Sequence, residues 1–185
     1  MATTTSSALM TWEAFERLPD GDGLHREILE GELQILPPAK LNHTRIARRV
    51  AKALEALEDR GLGEALPEGG YKLSENPPSW IQPDVSFLRS DRLQHVEDGT
   101  YAIGAPELAI EIVSPSETAT MLQRKVELLL GSGAQAVWVI YPDSKTVTVH
   151  LPNGTSATRG VNDTLAAPFL AEDWTLPVAT IFEGI

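Results

Sequence analysis

The sequence predicts a mixed α/β fold, with two helices and six or seven strands. Two segments carry apolar residues at helical spacing, and they alternate with short runs rich in Val, Ile and Leu that are typical of strands. The chain has 185 residues, which suits one domain with a proper core better than two domains. We therefore expect a disordered leader over residues 1–10 and a single domain over residues 11–185.

The first predicted elements are a hairpin and a helix. The segment His25–Leu36, HREILEGELQIL, has apolar residues on both sides of a Glu-Gly-Glu turn, which indicates a hairpin or a bent strand pair. Asn42 is a good N-cap for a helix that should stop at Gly61 and Gly63. Its apolar stripe consists of Ile46, Val50, Leu54 and Leu57. The opposite face, either solvated or in contact with phosphates, consists of Arg45, Arg48, Arg49 and Lys52.

The middle and end of the chain supply most of the predicted strands. EALPEGGYKL predicts a short strand, NPPSW a loop, and Ile81–Leu88 (IQPDVSFL) a strand with Asp84 near its start. AVWVIYP predicts a buried strand, and KTVTVHL an edge or hairpin strand that is followed by a turn at PNGT. The final segment, FLAEDWTLPVATIF, closes the domain with scattered apolar residues.

A buried strand followed at once by a helix is predicted around PELAIEIVSPSE, Pro106–Glu117. Ser114, with Glu117 three residues later and Pro115 between them, has the form of a capping box. A helix should run from there to about Gly131. Its apolar stripe consists of Met121, Leu122, Val126, Leu128, Leu129 and Leu130.

Two ionisable residues interrupt these apolar surfaces. Glu111 lies in the buried strand, where a carboxylate is costly unless it is paired, coordinated or protonated. Lys125 falls inside the apolar stripe of the helix. It could extend outward to solvent, or its ammonium could point inward to Glu111, because a strand followed by a packed helix brings the two elements face to face.

Asp84 is the third candidate residue. An Asp after Pro at the start of a strand is often only a turn residue. Two carboxylates and a lysine would nevertheless be a sensible set, because Mg²⁺ is typically held by one or two carboxylates with water and phosphate oxygens. Such an ion activates bound water, and a lysine can orient that water or neutralise developing negative charge.

Composition limits the class of protein. Cysteine is absent, which excludes disulfides and thiolate metal sites and fits a reducing compartment. The start, MATTTSSA, is not typical of a signal peptide, and no apolar run approaches the roughly 20 residues of a membrane span; the expected location is the cytoplasm. A formal net charge of -11 argues against nucleic acid, unless the acidic groups hold metal ions or the basic residues are gathered in one place.

A series of motifs follows the order and approximate spacing of a known family. They are EILEGEL, PP followed by NHTRI, QPDVSFL, PELAIEIVSPSE, Lys125, GSGAQAVWVIYPD and TLPVATIF, from about Trp12 to Phe182. On these motifs the sequence resembles the Uma2 family of restriction endonucleases, a branch of the PD-(D/E)xK nuclease superfamily. The resemblance implies a restriction-endonuclease-like fold, which is a central mixed sheet flanked by helices. It also implies a divalent metal site for Mg²⁺ or Mn²⁺ and a homodimer, which is common in this fold.

The resemblance also implies roles for individual residues. Asp84 corresponds to the Asp of the PD motif and Glu111 to the (D/E) position, both as metal ligands. Val113 stands where the superfamily has its lysine, and Lys125 stands on the following helix, where this family places it. Two further residues match the family. Glu32 would support the metal from the hairpin, and His43 would be a buried structural histidine or a catalytic base.

Some positions depart from the family pattern. The family usually has an aspartate at Met121 and often has different residues at Leu129, Ala136 and Tyr141. The sequence has no phosphate-binding glycine loop and no paired histidine ligand spacing. We therefore expect a metal-dependent endonuclease acting on DNA. The alternative is a catalytically inactive nuclease-fold dimer that binds nucleic acid or protein.

Overall fold

The computed structural model describes residues 9–19, 24–97, 99–115 and 117–185. The helices are α1 (Trp12–Glu16), α2 (Leu41–Glu58), α3 (Ser90–Leu93), α4 (Ala119–Gly131) and α5 (Val178–Ile181). The strands are β1 (His25–Leu29), β2 (Glu32–Leu36), β3 (Gly63–Pro67), β4 (Tyr71–Glu75), β5 (Pro78–Ile81), β6 (Val85–Arg89), β7 (Ala102–Ile103), β8 (Leu108–Ile112), β9 (Ala136–Tyr141), β10 (Thr146–His150), β11 (Ser156–Arg159), β12 (Thr164–Ala166) and β13 (Thr175–Pro177).

A mixed six-stranded sheet forms the centre, in the order β11-β10-β9-β8-β6-β3. Strands β8 and β9 run parallel, and the other neighbours are antiparallel. A second sheet has the order β2-β1-β5-β4-β7, and β12 pairs with β13. The predicted central mixed sheet with flanking helices and an N-terminal hairpin is confirmed.

The two long helices lie on opposite faces of the central sheet. The buried residues of α2 pack with Ile110 and Ile112 of β8, whereas those of α4 pack with Ala109, in a core that also contains Leu29 and Ile81 of the second sheet. Side chains alternate along a strand. Glu111 therefore points to the same side as Ala109, toward α4.

The hairpin and the helix interiors form as the sequence predicts. Glu30 and Gly31 both have positive φ, 51° and 85°, as a tight two-residue hairpin turn requires. The predicted stripe of α2 is buried, at Ile46, Val50, Leu54 and Leu57. The leader predicted over residues 1–10 falls mostly on residues 1–8, which lie outside the described residues. Met10 already donates a backbone hydrogen bond to the Gly31 carbonyl, at 2.7 Å.

Several predicted boundaries are wrong. Helix α2 begins at Leu41 with Lys40 as its N-cap, so Asn42 lies inside the first turn. Helix α4 begins after Thr118, whose hydroxyl accepts from Met121 N, so the predicted capping box at Ser114 is instead a turn. NPPSW ends in strand β5, EALPEGGYKL contains two strands, and IQPDVSFL is divided between β5 and β6.

The break between β5 and β6 places Asp84. Strand β5 belongs to the five-stranded sheet and β6 to the central sheet, so the chain crosses between sheets at Gln82–Asp84. Strand β6 pairs antiparallel with β8, with Val85 opposite Ile110. Continuing this register by one residue brings Asp84 beside Glu111. No helix in the described part of the chain is long and apolar enough to cross a membrane.

Candidate active site

Lys125 lies at the centre of a buried group of carboxylates. Its Nζ atom is 2.7 Å from Glu111 Oε2, 3.2 Å from Glu27 Oε2 and 3.9 Å from Glu117 Oε1. Only 3% of Lys125 is exposed. Of the two orientations that the sequence leaves open, the ammonium therefore takes the inward one.

The apolar neighbours of Lys125 explain this orientation. Leu122, Val126 and Leu129 surround it on the buried face of α4 and pack against the central sheet. The same face of the sheet carries Glu111, in the strand directly before the helix. The side chain of Lys125 extends from this apolar face of α4 and reaches the carboxylate of Glu111 inside the protein. The ion pair and the helix packing therefore form together.

Asp84 is tied to the end of the strand that carries Glu111. Its Oδ2 atom accepts a hydrogen bond from Ile112 N at 2.6 Å and lies 3.2 Å from His43 Nε2. The structure thus brings Asp84, Glu111 and Lys125 into one region, and His43 joins it through its contact with Asp84. Burial by itself would lower the pKa of His43, but the hydrogen bond and charge of Asp84 outweigh burial and raise it.

Glu27 is the residue that sequence reasoning missed. It is 1% exposed, and its Oε1 accepts a hydrogen bond from Gln82 N at 3.0 Å. The signal was available: Glu27 shares one face of β1 with the buried Leu29, so a carboxylate interrupts an apolar strand face here as it does at Glu111.

Glu32 does not join this group. Its carboxylate is exposed and lies 2.8 Å from Arg124 Nη1, while Glu30 lies 2.9 Å from Arg124 Nη2. These ion pairs hold the hairpin turn against α4. The hairpin carboxylate next to Lys125 is therefore Glu27, and Glu32 is on the outer surface.

The predicted basic face of α2 lies away from this group. Arg45, Arg48 and Lys52 are exposed, and Arg49 donates to the carbonyl of Ile181 at 3.3 Å. At 100° per residue, Lys52 points about 180° from His43 around the helix axis. This face does not line the region around Asp84.

The two buried carboxylates differ in their electrostatics. Burial works to raise the pKa of Glu27, but the charge of Lys125, the imidazole of His25 at 3.9 Å and the hydrogen bond from Gln82 N together outweigh burial and lower it. Burial raises the pKa of Glu111 well above its usual range, and the charges of Asp84 and Glu27 add to the effect, while Lys125 offsets only part of it. Lys125 Nζ lies nearer to Glu111 than to Glu27, yet its charge does not fully offset the cost of burying Glu111.

The hydrogen bonding of the Glu111 carboxylate is incomplete. Glu111 Oε1 is buried and has no hydrogen-bond partner among the described residues. A buried acceptor without a partner is costly. A cation bound at this oxygen would remove that cost and would also reduce the repulsion between Glu111 and Asp84.

The donor set fits a hard divalent cation only as a partial site. In the ranges that the structure describes, no group of three or more His, Asp or Glu side chains is arranged to hold a metal ion. Asp84 and Glu111 supply two carboxylates, which is the number that Mg²⁺ usually takes from protein when water and phosphate oxygens complete its shell. With Glu27 and Glu117 nearby, four carboxylates face the single ammonium of Lys125, so the local charge also favours a cation.

The architecture and this buried group define a protein of the restriction-endonuclease-like fold. The chain belongs to the Uma2 family, described as "Putative restriction endonuclease", which matches residues 12–179. It is similar in structure to a "putative nuclease belonging to DUF820" from Anabaena variabilis ATCC 29413, with a TM-score of 0.82 and 23% sequence identity. The match covers 94% of this chain and 98% of that one. No curated protein matches the chain significantly.

Proposed function

We propose that this protein is a metal-dependent endonuclease that hydrolyses DNA phosphodiester bonds. Asp84 and Glu111 would bind Mg²⁺ or Mn²⁺, and Lys125 would assist the attacking water. The family and the fold support a nuclease. The observation that carries the proposal further is the buried Glu111 carboxylate, which is bonded to Lys125 on one oxygen and has no described partner on the other.

The chain's own groups have separate tasks in this proposal. A bound divalent cation supplies charge stabilisation at the phosphate and a lower pKa for a bound water. Lys125 acts as a hydrogen-bond donor rather than a base. Burial alone would lower its pKa, but Glu111, Glu27 and Glu117 raise it well above its ordinary value, so the amine keeps its proton. A fixed ammonium can orient the water and neutralise charge that develops on the phosphate.

Asp84 and His43 would support the other side of the site. The Ile112 N–H group holds Asp84 Oδ2 in place, and the imidazole of His43 contacts the same oxygen. In this proposal His43 would orient Asp84, as residues behind metal ligands commonly do. Glu32 pairs with Arg124 on the outer surface, so the proposal gives it no role at the metal.

Cleavage assays test this function. Single-stranded, double-stranded and modified DNA would be incubated with wild type, Glu111→Gln and Asp84→Asn in the presence of Mg²⁺ or Mn²⁺. We expect cleavage by wild type that both substitutions abolish. Glu32→Gln is the matched control, since it removes a carboxylate of the same chemistry from the outer surface, and it should keep wild-type activity. Equal background cleavage by wild type and Glu111→Gln on every substrate would contradict the proposed endonuclease activity.

A second function is favoured by one observation. The described residues contain no preformed group of three metal-ligating side chains, and this favours the alternative of a protein that binds nucleic acid or a protein partner without cutting. Retention of DNA on the protein with no cleavage by wild type would support this function. The proposal also includes a homodimer in the cytoplasm, and light scattering at several protein concentrations would test the dimer.

A further inference from the structure

Glu27 connects two parts of the site that belong to different elements. Its Oε1 accepts from Gln82 N at 3.0 Å, and its Oε2 lies 3.2 Å from Lys125 Nζ. Gln82 lies in the break between β5 and β6, and Lys125 lies on α4. The Glu27 side chain therefore links the backbone of Gln82, two residues before Asp84, with the ammonium of Lys125, which contacts Glu111.

The location of Gln82 gives this link its importance. The break at Gln82–Asp84 is the point where the chain passes from the five-stranded sheet to the central sheet. Asp84 follows two residues after Gln82, and Glu111 is the hydrogen-bond partner of Lys125 at 2.7 Å. A shift of the Glu27 carboxylate would therefore disturb both halves of the site.

The environment of Glu27 distinguishes it from Glu111. Both oxygens of Glu27 have partners in the protein, whereas Glu111 keeps one oxygen that no described residue satisfies. Glu27 lies in the first strand of the hairpin and is 1% exposed. Its carboxylate is thus committed to holding protein groups, and Glu111 has the oxygen left for a ligand.

We propose that Glu27 is a positioning residue of the active site, which anchors the Lys125 ammonium to the backbone of the Gln82–Asp84 turn. It acts through Lys125 and contacts neither metal nor substrate. This inference rests on the proposed function. Replacing a residue that orients a metal ligand typically costs about 10- to 100-fold in metal affinity or activity, and we expect an effect of the same size on activity for a residue that orients Lys125.

The test uses Glu27→Gln, which keeps the volume of the side chain and an oxygen acceptor for Gln82 N but removes the charge that holds Lys125. In the cleavage assay we expect kcat to fall by about 10- to 100-fold, with KM for DNA and the manganese affinity unchanged. Ile28→Ala is the matched control, because it weakens the same strand from its opposite face, where Ile28 packs with Trp80. It should leave kcat unchanged in the folded protein.

A second readout does not depend on activity. Acetylation by an amine reagent, followed by mass spectrometry, reports how firmly each lysine is held. In wild type Lys125 should be protected, and the exposed Lys52 should react. Glu27→Gln should raise the labelling of Lys125 several-fold without changing that of Lys52, under conditions where Ile28→Ala does not.

The outcomes separate the two proposals. Cleavage by wild type with an unchanged kcat in Glu27→Gln would overturn the role of Glu27, and so would a loss of manganese binding equal to that of Glu111→Gln, which would make Glu27 a ligand. If wild type cleaves no DNA, the proposed function fails. The labelling then decides the anchoring of Lys125: equal protection in wild type and Glu27→Gln would overturn it, and selective labelling would support it.

Discussion

Removing the ammonium of Lys125 should destabilise the protein far more than removing the neighbouring guanidinium of Arg124. Lys125 is 3% exposed and contacts two carboxylates at 2.7 and 3.2 Å. Lys125→Met preserves most of the side-chain volume and leaves Glu27 and Glu111 without their shared partner. Arg124→Met removes a cation from the same turn of α4, but its contacts with Glu30 and Glu32 lie on the surface.

The magnitudes follow from burial. Breaking a buried ion pair by removing one partner costs about 3–5 kcal/mol, because a charge is left uncompensated. Exposed pairs contribute about 0–1 kcal/mol each. At about 2–4 °C per kcal/mol for a chain of this size, Lys125→Met should lower Tm by roughly 6–20 °C. Arg124→Met, which breaks two exposed pairs, should lower Tm by about 0–8 °C.

Urea unfolding of the metal-free protein, followed by far-UV circular dichroism, measures the difference. The cost of Lys125→Met should be larger at pH 8 than at pH 5, because a proton can replace the missing cation between the carboxylates at the lower pH. Equal destabilisation by Lys125→Met and Arg124→Met at pH 8 would refute the account of a buried centre in which Lys125 offsets the charges of Glu27 and Glu111.

Three further predictions concern pH and metal. The pKa of Glu111 is raised in the folded state, mainly by burial, so its contribution to stability is complete below the ordinary carboxyl range and declines as pH rises toward the folded pKa; Glu111→Gln should remove this decline from urea unfolding curves. The raised pKa of His43, for which the hydrogen bond and charge of Asp84 outweigh burial, gives a contribution that is complete below its ordinary pKa and is lost as pH rises through the folded value. His43→Gln should therefore flatten the stability profile just above pH 6.5, and an unchanged profile would contradict the contact with Asp84. Manganese at 100 times its Kd should stabilise wild type by about 2.7 kcal/mol, and a thermal shift that persists in Asp84→Asn would place the ion elsewhere.

The sequence predicted the elements that are marked by buried apolar residues repeated along a whole segment. The stripe of α2 is wholly apolar and strand β8 is apolar except for Glu111, and the structure has both where the sequence placed them. Lys125 could be singled out because a charge inside an apolar stripe is conspicuous. Its direction could not be derived, since an outward and an inward lysine occupy the same position on a helical projection.

Local signals were less reliable where tertiary contacts decide. Asn42 and Ser114 both have good capping chemistry, yet each helix begins elsewhere, at Leu41 and Ala119. At the start of α2, the contact between His43 and Asp84 lies within the first turn, and at the start of α4 the hydroxyl of Thr118 provides the cap. A short capping motif does not show which of several neighbouring residues will become the N-cap.

Glu27 was missed for a different reason. In a five-residue strand the alternation that marks its face rests on very few positions, and the resemblance to the family pointed to Glu32 instead. The ion pairs of Arg124 with the turn show why those glutamates lie outward. Leu129 and Ala136, at two positions where the sequence departs from the family pattern, are apolar core residues.

The most direct measurement is a crystal structure of the protein soaked in manganese, with the ion located by its anomalous scattering. The account predicts one ion in contact with carboxylate oxygens of both Asp84 and Glu111, while Lys125 stays bonded to Glu111. Absence of an ion at millimolar manganese, or an ion that contacts neither carboxylate, would contradict it.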